Sequence, residues 1–266
     1  MAITALHTAA TGMQALSDKI DVISNNIANA DTPGFKAARA NFQDLLYQLR
    51  AQPGVQTSEE SYTPLATEVG LGVALSNTQV IFKQGSALAT GEPLDLMIQG
   101  DGFFQVELPG GATGYTRAGN FVRNANGELV LGNSFGYRLK DSPRIPDDVS
   151  RDRIGVSSDG RITATMPDGT TQELGQIQLA RFVNPNGLLQ SGANIFTGTQ
   201  ASGEPIEGTA GQEGLGEIMS AYLEQSTTEA VSELVELIKA QRVFQMNSQT
   251  IQAANDALQT VANLRR

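Results

Sequence analysis

Four carboxylates, Asp95, Asp101, Glu107 and Glu128, lie near the ends of segments that read as strands. Two carboxylates held roughly 5–9 Å apart are the minimum for acid–base cleavage of a glycosidic bond. Nothing in their spacing singles out a pair, and an aromatic content of 6% is thin for a sugar-stacking cleft. The one histidine, His7, sits among helical alanines with no carboxylate in the neighbouring turns, so it reads as a surface or packing residue and not as a metal ligand. Gly100-Asp101-Gly102 shares two glycines with a dinucleotide fingerprint, but it opens a strand and lacks the third glycine leading into a helix. No glycine-rich loop ends in Gly-Lys-Ser or Gly-Lys-Thr, and no serine sits in a Gly-x-Ser-x-Gly elbow. The chain has no cysteine, which removes thiol nucleophiles, disulfides and cysteine-ligated metals. These residues imply no enzyme, no catalytic residue, no cofactor and no metal.

The elements that would have to position such groups follow from the helix breakers. The 266 residues include 28 glycines and 10 prolines. Apart from Gly12, every one of them lies between Pro33 and Gly216. The two ends can therefore be helical, and the middle is punctuated like a sheet-and-turn domain. The expected class is α+β, with long N- and C-terminal helices paired as a coiled coil around an antiparallel β-rich domain. The expected divisions are an N-terminal helix over 1–33, a linker and arm over 34–74, a β-rich outer domain over 75–216 and a C-terminal helix over 217–266. A formal net charge of −10 argues against nucleic acid as a partner. No apolar run approaches the roughly 20 residues of a membrane span, and no cleavable secretion signal is visible at the N-terminus.

At the N-terminus, Leu6, Ala9, Met13, Leu16, Ile20, Ile23 and Ile27 alternate at spacings of three and four, a coiled-coil seam. The helix is expected from about Thr4 to about Ala28. At the C-terminus, Leu234, Leu237, Phe244, Ile251 and Leu258 continue the pattern, with Gln241, Ser248 and Asn255 as polar positions in the seam. Polar seam residues set register or partner at some cost in stability. A helix of about 40 residues is roughly 60 Å long, more than a globular core of this size needs. The two ends are therefore expected to pair and then to pack against copies of the same chain. A charge at Leu237 or Ile251 is expected to abolish that assembly.

In the middle, Phe103, Phe104 and Val106 follow a tight turn, and Asn126-Gly127 is the strongest hairpin signal in the chain. Asp159-Gly160 and Asp168-Gly169 mark two more turns, and 176–182 alternates like a half-buried strand. Such turns suit a small antiparallel barrel or sandwich. The stretch 52–67 is polar, with Glu59-Glu60 between Pro53 and Pro64, and reads as an extended arm. Residues 36–51 read as a short helix with Phe42, Leu45, Leu46 and Leu49 on one face.

The densest special geometry runs from Asn25 to Lys36. Asn25, Asn26 and Asn29 can cap a helix end or bond their own turn backbone. Thr32, Pro33 and Gly34 then redirect the chain, and Phe35 and Lys36 follow. Physically this is a rigid corner. It also carries a resemblance. Asn-Asn-x-Ala-Asn followed by Thr-x-Gly-Phe-Lys is the shared signature of the rod, hook and hook-associated axial proteins of the bacterial flagellum. A second block of that family resembles Leu223-Glu224-Gln225-Ser226, Glu233-Leu234-Val235, Ile238, Gln241-Arg242-Val243-Phe244 and Asn247. Here Ser226-Thr227-Thr228 departs from the usual Ser-Asn-Val. A third resembles Phe82-x-Gln84-Gly85, Leu94-Asp95, Ile98-x-Gly100-x-Gly102-Phe103-Phe104 and Tyr115-Thr116-Arg117-x-Gly119.

The resemblance implies a structural subunit that polymerises into a helical tube, with the paired end helices on the inner wall. The 52–67 arm resembles the extra stretch of a distal rod subunit, which implies a straight, rigid, hollow shaft transmitting torque to the hook. It further implies proximal rod proteins, the hook protein and the P- and L-ring proteins as neighbours in the periplasm. Delivery would be by the flagellar export apparatus without a cleaved signal. A proximal rod subunit or another axial subunit is the alternative. A secreted polysaccharide-binding or -cleaving β-domain protein is the reading from a different class.

Overall fold

The computed structural model describes residues 2–53, 56–58, 61–62 and 65–264. The chain forms two units, one built from Met1–Ala28, Ala38–Gln79 and Glu229–Arg266, the other from Asn29–Ala37 and Val80–Thr228.

The first unit is organised by two long helices, α1 (Ala2–Ala28) and α2 (Ala230–Leu264). They pair antiparallel as a coiled coil: Asn26 donates to Glu233, Lys19 pairs with Glu236 at 3.0 Å, and Gly12 lies against Asn247. The single helical glycine is explained by that last approach, since a Cβ at Gly12 would come within 3.0 Å of Asn247 Nδ2. The expectation of helix from residue 217 is corrected. Glu217–Ser220 and Tyr222–Glu224 are strands, and α2 begins only at Ala230. Absence of glycine and proline permits a helix there, but strand partners for these residues satisfy the same backbone groups.

Lys239 and Lys19, both bonded to Glu236, hold its carboxyl well below the ordinary 4.5, down to about 2. A depressed carboxylate contributes stability that is complete above its unfolded value and is lost as pH falls through its folded value. The helix pair is therefore expected to loosen between about pH 4.5 and pH 2. Far-ultraviolet circular dichroism should show a larger acid loss of helix in wild type than in Glu236→Gln, which has already lost the interaction.

The short helix expected over 36–51 does not form. The segment holds β1 (Ala38–Asp44) and β2 (Tyr47–Ala51). A helix this short needs a core to face, and Leu46 is 83% exposed with Phe42 and Leu49 also exposed. Instead β1 pairs with β6 (Val73–Val80), supported by side-chain bonds from Arg39 to Gln79 and from Asn41 to Asn77. The expected arm is a β-hairpin. Its base pairs β2 with β5 (Thr67–Gly70), Tyr47 opposite Gly70, and farther out β3 (Gln56–Ser58) pairs with β4 (Ser61–Tyr62). Residues 54, 55, 59, 60, 63 and 64, including Glu59-Glu60 and Pro64 of the expected arm, lie outside the described residues.

The second unit is antiparallel β-structure. Its first strands are β7 (Ala87–Ala89), β8 (Leu96–Gln99), β9 (Phe103–Glu107) and β10 (Thr113–Thr116). Next come β11 (Phe121–Arg123), β12 (Leu129–Leu131), β13 (Arg138–Leu139), β14 (Ile154–Val156), β15 (Arg161–Thr165) and β16 (Thr171–Gln176). The last are β17 (Gln178–Arg181), β18 (Leu189–Gly192), β19 (Ile195–Thr197), β20 (Ile206–Thr209), β21 (Glu217–Ser220) and β22 (Tyr222–Glu224). Nine of these form one sheet centred on β9, which pairs with β10 on one side and with both β13 and β17 on the other. Alternation along β9 places Phe104 in the larger apolar core and Phe103 in a second, aromatic one. The hairpins β11–β12, β14–β15 and β15–β16 turn at the expected Asn-Gly and Asp-Gly pairs. The strand expected over 176–182 is interrupted at Ile177, and both Leu179 and Ala180 are buried because β17 is covered on both faces.

Candidate functional site

The Asn-rich corner is built from two kinds of bond. Within the helical unit, buried Asn26 accepts from Ala38 N at 3.0 Å and donates to Ala38 O at 2.7 Å, so one side-chain amide pairs with a residue backbone as a neighbouring strand would. Asn25 lies on the exposed side of the last turn of α1. The rest of the corner belongs to the β-rich unit. Asn29 O accepts from Thr32 N, its side chain accepts from Thr32 Oγ1, and Thr32 O accepts from Phe35 N. Asn194 donates to Pro33 O at 2.9 Å, and Phe35 is half-buried. Gly34 has φ +69°, and a Cβ there would fall 2.6 Å from the backbone of Arg117 and Ala118.

The segment 223–228 closes over this turn. Gly34 N donates to Glu224 O at 2.7 Å, Thr227 N to Phe35 O, and Ala37 N to Thr227 Oγ1 at 2.9 Å. Thr227 stands where the family resemblance expects asparagine, and its hydroxyl oxygen supplies the acceptor that an asparagine amide also carries.

At the centre lie three charges from three distant parts of the chain. Lys36 Nζ meets Glu224 Oε1 at 2.5 Å and donates to Lys83 O at 2.6 Å. Glu224 Oε1 also accepts from Gly85 N at 2.7 Å, and its Oε2 faces Arg117 at 3.6 Å. Arg117 is anchored by Ile98 O and Gly100 O and lies over the Phe103 ring. All three side chains are almost wholly buried. Burial pulls both Lys36 and Arg117 below their ordinary ranges, and the Glu224 carboxylate opposes this in each case. Each of the three stands in a different signature block, yet their convergence was not readable from spacing. The available signal was a charged residue embedded in otherwise apolar or small motifs.

Of the carboxylates considered for catalysis, only Glu107 and Glu128 converge, and the guanidinium between them occupies both. Glu107 and Glu128 both bind Arg138, at 2.6 and 2.8 Å, which holds them as ion-pair partners at the surface. Asp95 forms an isolated bridge with Asn120, and Asp101 lines a separate cavity. His7 is exposed, and no cluster of potential metal ligands occurs among the described residues.

The seam residues fall in two groups. On α1, Ala9 and Ile23 are buried and Leu6, Met13, Leu16, Ile20 and Ile27 half-buried. On α2, the row that meets α1 contains Leu237, Ala240, Asn247, Ile251 and Ala254. Leu234, Gln241, Phe244, Asn255 and Leu258 are exposed, while Ser248 is half-buried. Val231, Leu234, Val235 and Ile238 follow i, i+3, i+4, i+7 spacing and form a separate apolar stripe on the face turned from α1, between 46% and 77% exposed.

A long helix pair with an uncovered apolar stripe, joined in sequence to a β-rich unit, has the build of a structural subunit of the axial type. Three family models match the chain. They are the flagella basal body rod protein over residues 6–36, the flagellar hook protein FlgE/F/G D1 domain over 97–164, and the flagellar basal body rod FlgEFG protein C-terminal region over 219–264. The flagellar basal-body rod protein FlgG of Caulobacter vibrioides is 43% identical over 98% of this chain and 99% of its own length. Those of Borreliella burgdorferi and Bacillus subtilis are 39% and 36% identical, each over at least 98% of both chains. The chain belongs to the FlgG family of flagellar basal-body rod proteins. It is a structural axial subunit of the rod, the rigid shaft that transmits torque, and not an enzyme.

Proposed function

We infer that this chain is the distal rod subunit, polymerising through its helix pair into a straight hollow shaft in the periplasm. The observation that carries the reading is the exposed stripe Val231, Leu234, Val235 and Ile238. Each of these residues, about half exposed or more, gains roughly 1–2 kcal/mol when the rest is buried, and a neighbouring copy is the surface that a rod subunit meets. Head-to-tail contacts of this kind repeat without closing into a ring and so generate a helical polymer. In this reading Leu6, Met13, Leu16, Ile20, Ile23 and Ile27 close the intramolecular pair with Leu237 and Ile251. Leu234, Phe244 and Leu258 extend it to neighbours. The corner Asn25, Asn26, Asn29, Thr32, Gly34, Phe35 and Lys36 supplies the rigid turn.

The double variant Val235→Asp, Ile238→Asp is expected to abolish sedimentable polymer while leaving far- and near-ultraviolet circular dichroism unchanged. Tubes of wild-type yield from this variant would overturn the reading. The neighbours along the shaft are then proximal rod proteins below, the hook protein above and the P- and L-ring proteins around it, with delivery by the flagellar export apparatus.

The hairpin arm favours the distal over the proximal position. β2 is exposed along its whole length, and an isolated two-stranded ribbon is marginal in water, so the arm needs a surface on another molecule. Deleting residues 52–67 is expected to leave polymerisation intact and to shorten the bending persistence of the tubes in electron micrographs. Tubes as straight as wild type would remove the arm from that role.

A further inference from the structure

A cavity of about 330 Å³ opens in the β-rich unit between Asp101-Gly102-Phe103 and Arg181-Phe182-Val183, with Phe82 and Arg117 completing its wall. Phe103 meets Phe82 and Phe182 edge to face at 5.5 and 6.0 Å, and the three rings give the cavity an apolar lining. Arg117 and Arg181 also line it. Arg117 is already held by carbonyl oxygens and by Glu224, but its Nε is buried without a hydrogen-bond partner. Arg181 is half-buried, its Nε is also unpartnered, and its side chain has no ion pair or hydrogen bond among the described residues. A buried Nε–H without an acceptor is costly, and an anion bound at the guanidinium removes that cost.

The local charge points the same way. Arg117 and Arg181 face one carboxylate on the wall, Asp101. Immediately behind, Lys36 and Arg117 share the single carboxylate of Glu224. Counting each group once, three cations stand against two anions, a positive surplus inside a chain of net charge −10.

We propose that this cavity binds a carboxylate carried on an apolar stem, the carboxylate on Arg181 and the stem against Phe82, Phe103 and Phe182. In the rod the occupant is an acidic side chain of a second copy, a choice that rests on the polymer reading above. The acidic excess of the chain makes such side chains abundant on a neighbour, and Val183, 81% exposed at the rim, gives the entering stem an apolar threshold.

The test uses the full chain as monomer, titrated with phenylacetate and with neutral phenylacetamide, and read by arginine Nε–H and aromatic nuclear magnetic resonance. Phenylacetate is expected to shift Arg181 and the three phenylalanines with millimolar affinity, and phenylacetamide at least tenfold more weakly. Arg181→Met is expected to lose at least tenfold. Val183→Asp, an exposed change that leaves the fold intact, places a like charge at the rim and is expected to lose a similar factor. Absence of shifts at saturating phenylacetate, or equal binding of the amide, overturns the site. Polymer growth measured on the same proteins then separates the source. Slower elongation of both variants supports a second copy as occupant, and wild-type elongation alongside lost phenylacetate binding overturns it. If wild type itself forms no polymer, the rod reading fails while the titration still decides the cavity.

Discussion

Replacing Glu224 with alanine is expected to destabilise the β-rich unit by about 3–5 kcal/mol, the range for removing one partner of a buried ion pair. That range matches a sizeable fraction of the stability of a whole domain. The loss is large because one carboxylate serves several groups. Without it Lys36 keeps only Lys83 O, Gly85 N loses its acceptor, and Arg117 faces Lys36 across a dry site with no anion between them. Glu224→Gln keeps an acceptor for Gly85 N but not the charge, so it should fall between wild type and alanine. Lys36→Met leaves Glu224 paired with Arg117 and should be the mildest of the three. Urea unfolding followed by near-ultraviolet circular dichroism gives the ranking. An alanine variant within 1 kcal/mol of wild type would mean that the cluster is not a stabilising element.

Gly34→Ala is expected to lose about 2–5 kcal/mol, from two additive causes. A left-handed backbone costs a residue with a Cβ about 1–2 kcal/mol, and φ at Gly34 is +69°. The Cβ would also overlap the Arg117 and Ala118 backbone at 2.6 Å, and overpacking of this kind typically adds about 1–3 kcal/mol. Because Gly34 N donates to Glu224 O, any shift that relieves the overlap draws the turn away from the strand that carries the cluster. Hydrogen exchange should therefore show lost protection at residues 34–37 and 224–227 together. Unchanged protection at both would contradict the coupling. Gly34→Asn is the informative control, since asparagine tolerates the left-handed region but not the overlap.

Much of this protein was legible from residue order alone. Periodicity of three and four sustained over Leu6–Ile27, with no breaker but Gly12, specifies a helix with one apolar face. The confinement of glycine and proline between Pro33 and Gly216, Gly12 apart, separates helical ends from a turn-rich middle. Asn-Gly and Asp-Gly pairs fix hairpin turns because those residues accept the turn dihedrals at little cost. These are local properties, carried by a few adjacent residues and their backbone preferences.

What the tertiary structure decided are the choices between locally equivalent answers. Residues 38–51 carry apolar groups at a helical spacing, yet no core lies in their path, and pairing with β6 and β5 satisfies their backbone instead. On α2, two adjacent heptad rows are equally periodic. The row with Ala240, Asn247 and Ala254 faces α1, where Gly12 leaves room for Asn247, and Leu234 is left outside. Lys36, Arg117 and Glu224 lie up to 188 residues apart in sequence, and no local rule brings three charges of uneven sign into one dry site. Only the folded chain does, by burying them together where each other's charge and a few backbone groups replace water.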